Sequence, residues 1–153
     1  MPYSKLLPLK KALKAKKPIR KPTKKKRSPG KLKDDCWALY SRWIRKKYSD
    51  NNGLCQCYTC GKLDLWPNLQ AGHGVSGRGN YVLFLDEIVR PQCAGCNIFK
   101  NGNYQVFVPN LIQEIGFTRY QEIVAQSHLP HKFPKGYLED LKIKLTNLLK
   151  GDT

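Results

Sequence analysis

The chain has 153 residues, about the size of one domain, and a formal net charge of +17. Residues 1–33 contain fourteen Lys and Arg and no acidic residue, so they carry +14, and the rest of the chain carries +3. Such a block of like charge repels itself and cannot bury a core. The sequence therefore predicts a disordered basic tail over residues 1–33 and one folded domain over 34–150.

The tail suits a polyanionic partner, because neutralising phosphates releases condensed counterions. A solubility tail and a membrane-surface patch are the alternatives, but the tail has few apolar anchors for a bilayer. No stretch approaches the roughly 20 apolar residues of a transmembrane span, and the N-terminus lacks the apolar core of a secretory signal. We therefore expect nucleic acid as partner, no membrane association, and a cytosolic, reducing setting.

The first predicted element is a helix over residues 34–48, capped by Asp34 or Asp35 and followed by a turn at 49–53. Apolar runs predict strands over 69–75 and 81–85, with a glycine-rich loop between them.

The C-terminal part predicts helices only. Residues 110–126 form one or two helices with a break at Gly116, and regularly spaced leucines from Leu138 to Leu148 mark a final amphipathic helix. The fold class is α+β with short strands, and a core this small often needs a metal staple.

Two cysteine pairs predict that staple. Cys57 and Cys60 form one CxxC knuckle, and Cys93 and Cys96 form another. Four thiolates around zinc make a closed tetrahedral site, so this ion is predicted to be structural. The remaining cysteines, Cys36 and Cys55, are expected to be small buried residues.

The segment between the knuckles is longer than a simple zinc ribbon requires, and it contains one histidine, His73. Imidazole accepts a proton near neutral pH, so His73 is a candidate general base, although a structural role or a metal-ligand role is also open. Asn97 follows Cys96, and its amide oxygen suits Mg²⁺ if a helix starts at the second knuckle.

Several motifs and their spacing resemble the lambda NinG (Rap) family of phage recombination nucleases: QCYTCG, QAGH, RPQCAGCN and FKNGN. The resemblance covers about residues 34–150, from WALYSRWIR through SHLPHK to the last helix. It implies a treble-clef, HNH-like (ββα-metal) core, and the CxxCN ending is similar to that of phage endonuclease VII.

The resemblance implies a metal-dependent DNA endonuclease, phage-encoded and located in the host cytoplasm. It would act on branched or recombination-intermediate DNA such as Holliday junctions. His73 would activate water, and a catalytic Mg²⁺ or Mn²⁺ near Asn97 would stabilise charge on the phosphate. Two coordinated cuts would suit a homodimer. The alternative is a non-catalytic zinc-binding protein that binds DNA or RNA.

This chain departs from the HNH pattern in three places. Gly72 stands where many such enzymes have a metal-binding Asp, Asn97 replaces the last histidine, and the bracing asparagine would fall near Ile88. His128 and His131 match a histidine pair of the family, and their roles as ligand, phosphate contact or helix cap stay open.

Four further residues are predicted nucleic-acid contacts because they lie in the glycine-rich loop or flank the second knuckle: Arg78, Arg90, Lys100 and Asn103.

Overall fold

The fold is known from a computed structural model that describes residues 28–77 and 79–151. Within these residues, four α-helices pack around two small antiparallel sheets, which confirms the α+β class. The predicted disorder of residues 1–27 and the predicted DNA contact of Arg78 lie outside the described residues. None of the described helices has the length and apolar character needed to cross a bilayer.

Helix α1 spans Pro29–Lys47, so it begins five residues before the predicted boundary at residue 34. Ser28 caps it by accepting a hydrogen bond from the Lys31 amide, and Pro29 occupies the first turn, where its missing N–H costs nothing. The predicted caps, Asp34 and Asp35, lie inside the helix instead. Residues 29–33 therefore belong to the folded domain, not to a tail.

Two hairpins follow α1. Strands β1 (Leu54–Gln56) and β2 (Leu63–Leu65) flank the first knuckle, and β3 (Gln70–His73) pairs antiparallel with β4 (Val89–Gln92), which leads into the second knuckle. The predicted strand over 81–85 is wrong. Residues Asn80–Val82 form a short 3-10 turn, and the β3 partner lies further along the chain.

The C-terminal half is helical, as predicted. Helices α2 (Tyr104–Ile115) and α3 (Phe117–Ser127) are separated at Gly116, whose φ of 85° favours glycine. Helix α4 spans Lys135–Lys150 and packs against α1.

The main core lies between α1, the β3–β4 sheet and helices α2 to α4. Its fully buried members include Ile44 of α1, Val89 of β4 and Phe107 of α2. This core fixes β3 and β4 against α1, and those two strands carry the candidate site.

Candidate functional site

The four knuckle cysteines form one compact cluster. Their sulfur atoms all lie within 4.8 Å of one another, and Cys60 Sγ is 3.8 Å from Cys93 Sγ. A tetrahedral site with Zn–S bonds of about 2.3 Å has sulfur–sulfur edges of about 3.8 Å. Within residues 28–77 and 79–151, this is the one group of at least three His, Cys, Asp or Glu side chains placed to hold a metal. The donor set and spacing fit zinc.

Hydrogen bonds from backbone and side-chain donors favour the thiolate form of Cys57. Burial raises the pKa of the Cys57 thiol, but hydrogen bonds from the Cys93 amide (3.2 Å) and from Thr59 outweigh it, and the pKa falls to about 6. The Lys62 amide lowers the pKa of Cys60, yet burial and the neighbouring sulfurs raise it to about 12. A cation at the centre would favour the thiolate form of these sulfurs.

The two remaining cysteines are buried apart from the cluster, as predicted. Cys36 is 0% and Cys55 is 1% exposed, and the Cys36 thiol donates to the Leu138 carbonyl at 3.1 Å. Both pKa values are raised chiefly by burial, which keeps these thiols protonated and unsuited to bind metal.

His73 lies at the end of β3 and is 7% exposed. Its ring stacks on Trp37 of α1 with the centroids 5.0 Å apart, and Nε2 is 3.2 Å from the Leu83 carbonyl oxygen. A carbonyl oxygen only accepts, so Nε2 carries the proton in this hydrogen bond and Nδ1 carries the lone pair. Such an arrangement fixes both the ring and the tautomer, as a general base requires.

Asn97 is positioned by the second knuckle. It lies in a π-helical turn over Gly95–Phe99, and α2 begins only at Tyr104, so the predicted helix at the second knuckle is a single turn. Asn97 Nδ2 donates to Gln70 Oε1 at 2.6 Å. This bond turns Oδ1 towards the backbone of Gly72, the residue before His73.

Gly72 of β3 is packed closely by two side chains. A Cβ atom at this residue would overlap Gln92 Oε1 and lie 3.2 Å from Asn97 Oδ1. The fold therefore brings Asn97 against the residue next to His73, and it leaves no room there for an aspartate unless Gln92 moves.

A polar pocket of about 340 Å³ opens beside Asn97. Its lining comes from α1 and from the start of β3, and includes Ser41, Arg45 and Gln70. Trp37, which stacks on His73, also lines it, so the candidate base and the pocket share one aromatic wall.

The two carboxylates that lie between His73 and Asn97 in the sequence are engaged elsewhere. Asp86 accepts from the Tyr40 hydroxyl at 2.9 Å, and Glu87 pairs with Arg119 at 2.8 Å. Neither belongs to a metal-binding group among the described residues.

The predicted phosphate contact of Arg90 is wrong, because this residue is 5% exposed. Its Nη2 pairs with Glu114 at 2.5 Å, and its Nη1 donates to the carbonyls of Asp86 and Val89, both at 3.0 Å. The guanidinium also faces the Tyr48 ring at 5.3 Å. Arg90 therefore stabilises the fold from inside.

The other predicted contacts differ in exposure. Lys100 is exposed, and a DNA contact there stays a prediction. Asn103 is partly buried, and its Nδ2 donates to Cys96 Sγ at 3.9 Å, so it contacts the four-cysteine cluster. His128 follows α3 and is exposed. His131 is exposed and packs edge-on against Phe133, with the centroids 4.7 Å apart.

Sequence reasoning missed Gln70 and Gln92, which pair across β3 and β4. The available signal was a glutamine placed directly before Cys93. In the structure, this glutamine and the other three residues of β4 are all buried. Gln92 is 0% exposed, which is unusual for this residue type and calls for hydrogen-bond partners.

The family model described as the bacteriophage lambda NinG protein matches residues 7–151. The match includes most of the basic tail as well as the folded domain. No curated protein and no solved structure gives a significant match to the chain.

Proposed function

The chain belongs to the bacteriophage lambda NinG protein family, and from this premise we propose that it is a metal-dependent endonuclease that hydrolyses DNA phosphodiester bonds. Family membership supports a phage-encoded protein related to recombination. The proposed substrate is accordingly branched or recombination-intermediate DNA, such as a Holliday junction. A homodimer would coordinate the two cuts that such a junction needs.

One observation carries the proposal. A four-cysteine cluster, a strand ending in a buried histidine and an amide oxygen facing that strand are contiguous in the fold. Under this proposal they would serve as the parts of an HNH-like, ββα-metal core, with the single turn around Asn97 in place of a longer helix. The zinc would hold β4 and the turn in register and take no part in the chemistry.

His73 would act as the general base. Nδ1 takes a proton from the attacking water, the water oxygen bonds to phosphorus, and the bond from phosphorus to the 3′-oxygen breaks. The Leu83 carbonyl holds the ring through Nε2 and stabilises the imidazolium that forms. Asn97 Oδ1 is a hard oxygen donor suited to a divalent ion, Mg²⁺ or Mn²⁺. Such an ion supplies charge stabilisation for the phosphate and for the departing oxygen.

The test is a cleavage assay on linear duplex, flap and four-way-junction DNA, with and without Mg²⁺ or Mn²⁺. His73→Ala should lower cleavage by about 10²- to 10⁴-fold while zinc content and DNA binding stay unchanged. Gln121→Ala, a change at an exposed position on α3, is the control. Full activity of His73→Ala would refute the role of His73. Binding of every substrate without any cleavage by the parent would favour the zinc-containing nucleic-acid-binding protein.

A further inference from the structure

A pocket of about 390 Å³ opens beside the start of α4, and we call it the aromatic pocket. Its walls come from the segment after β3, from the connection between α3 and α4, and from the first turn of α4. Most of the lining residues carry aromatic rings: Tyr81, Phe84, His131, Phe133 and Tyr137. A pocket of this size and character suits a small planar ligand that stacks on the rings.

Hydrogen bonds hold the walls of the aromatic pocket in place. Asn80 Nδ2 donates to the His131 carbonyl at 2.8 Å, and Asn80 Oδ1 accepts from Lys33 Nζ at 3.2 Å. The Tyr81 hydroxyl donates to Gln126 Oε1 at 2.7 Å. These bonds tie the connection after α3 to α1 and to the segment after β3. The pocket is therefore preformed, and little free energy is needed to order it around a ligand.

Positive charge surrounds this pocket. Lys33 reaches its rim through the bond to Asn80, and Lys132 is exposed between two of the lining residues. Leu32, near the start of α1, lies in a core cluster against which Phe133 packs, so the strongly basic N-terminal segment joins the folded domain on this side. Cations that bind phosphates and rings that stack on bases are the combination that holds single-stranded nucleic acid.

Adjacent residues join the aromatic pocket to the candidate general base. The Leu83 carbonyl accepts from His73 Nε2 at 3.2 Å, and the next residue, Phe84, lines the pocket. The Cα atoms of adjacent residues are only about 3.8 Å apart. A base in the pocket and a phosphate at His73 would therefore belong to nearby nucleotides.

We propose that the aromatic pocket binds one unpaired nucleobase of the DNA substrate, close to the strand that is cut. The proposal rests on the nuclease function proposed above, because it names the feature by which that site selects its substrate. A base in linear duplex must first be unstacked and unpaired, whereas a base at a branch or flap is already partly free. The pocket therefore favours branched DNA over linear duplex. Stacking tolerates every base, so no strong sequence preference is expected.

The affinity of the full chain for two flap DNAs tests the pocket, measured by fluorescence anisotropy without added Mg²⁺ or Mn²⁺. One DNA has an unpaired nucleotide at the branch, and the other has an abasic site in its place. Both carry the same phosphates, so the electrostatic part of the affinity cancels in the ratio of the two dissociation constants. The parent should bind the DNA with the intact base at least about tenfold more tightly.

Variants of one lining ring locate this preference. Tyr137 is 45% exposed, and Tyr137→Ala should lower the ratio at least about fivefold, whereas Tyr137→Phe keeps the ring and should leave it within about twofold. The control is Phe117→Ala, which removes an exposed ring at the start of α3, outside the pocket, and should also leave the ratio within about twofold. His131→Ala, at a second exposed lining residue, should act like Tyr137→Ala and keeps the test decisive if that variant fails to fold.

Equal affinities of the parent for the two DNAs overturn the proposal, and this is also the result if the N-terminal segment or a second copy of the chain covers the pocket. A preference that survives both Tyr137→Ala and His131→Ala overturns it as well. The ratio does not depend on turnover. A parent that cleaves branched DNA without this preference refutes the aromatic pocket alone, whereas a parent that shows the preference but never cleaves refutes the nuclease function alone.

Discussion

Cys96→Ser, compared with Cys36→Ser, isolates the contribution of the metal to stability. Cys96 is 2% exposed and Cys36 is 0% exposed. The free-energy cost of placing a serine hydroxyl in a buried position is therefore similar in the two variants. Only Cys96 belongs to the four-sulfur cluster. At position 36 the new hydroxyl can still donate to the Leu138 carbonyl, as the thiol does now. The difference between the variants therefore measures one metal ligand.

The expected size follows from the closed site. Structural zinc binding is worth about 10–16 kcal/mol, so one of four ligands contributes about 2.5–4 kcal/mol if they share it equally. For a domain of this size, such a loss lowers the melting temperature by about 10–15 °C. Cys36→Ser should cost about 1 kcal/mol, or less than about 5 °C.

Two measurements on the purified full chain check this. Zinc per chain comes from elemental analysis, and the melting temperature comes from circular dichroism. We expect one zinc per chain in the parent and in Cys36→Ser, and clearly less in Cys96→Ser. If Cys96→Ser keeps one zinc per chain and melts together with Cys36→Ser, the four-cysteine site is wrong.

Three further predictions concern the same domain. A strong chelator should lower the melting temperature, and adding zinc back should restore the original melting temperature whereas adding Mg²⁺ should not. Recovery of the melting temperature with Mg²⁺ alone would contradict a structural zinc. Arg90→Met should lower the free energy of unfolding by about 2–4 kcal/mol, because it removes the buried partner of Glu114, and Glu114 can rehydrate. Because Arg90 is buried, the DNA affinity of the folded variant should stay within twofold, and a large loss of affinity without a loss of stability would contradict its internal role. Gly74→Ala should lower the free energy of unfolding by about 1–3 kcal/mol, since its methyl group would overlap Leu111. The control is Gly136→Ala, whose methyl group points into open space, and equal melting temperatures of the two variants would argue against this packing.

The four-cysteine cluster could be predicted because CxxC spacing is a local property that brings each pair of sulfurs together. What brings the two pairs together is not local. The Tyr58 amide donates to the Pro91 carbonyl, and the Cys93 amide donates to Cys57 Sγ. Both bonds depend on β4, whose sequence contains Arg90 and Pro91 and gives a weak strand signal.

The missed features depend on contacts that are distant in sequence. Because residues 29–33 share the basic composition of the tail, the sequence does not predict that α1 begins there. Leu32 is nevertheless buried with Cys36 and with Leu138, which lies about a hundred residues further along the chain. Arg90 looked like a surface cation beside a knuckle, and its burial is compensated by Glu114 of α2. Periodicity carries no information about either partner.

The coupling between zinc and the candidate site runs over a short path. Gln92 Nε2 donates to Thr59, and the Thr59 hydroxyl lies 3.6 Å from Cys57 Sγ, so the first knuckle is tied directly to the residue whose Oε1 faces Gly72. Cys96 is adjacent to Asn97 on the other side. Loss of a zinc ion from the four cysteines should therefore disturb the positions of both Gln92 and Asn97. Under this arrangement, zinc removal and Gln92→Ala should lower the melting temperature in a non-additive way, because both act through the same short chain of contacts.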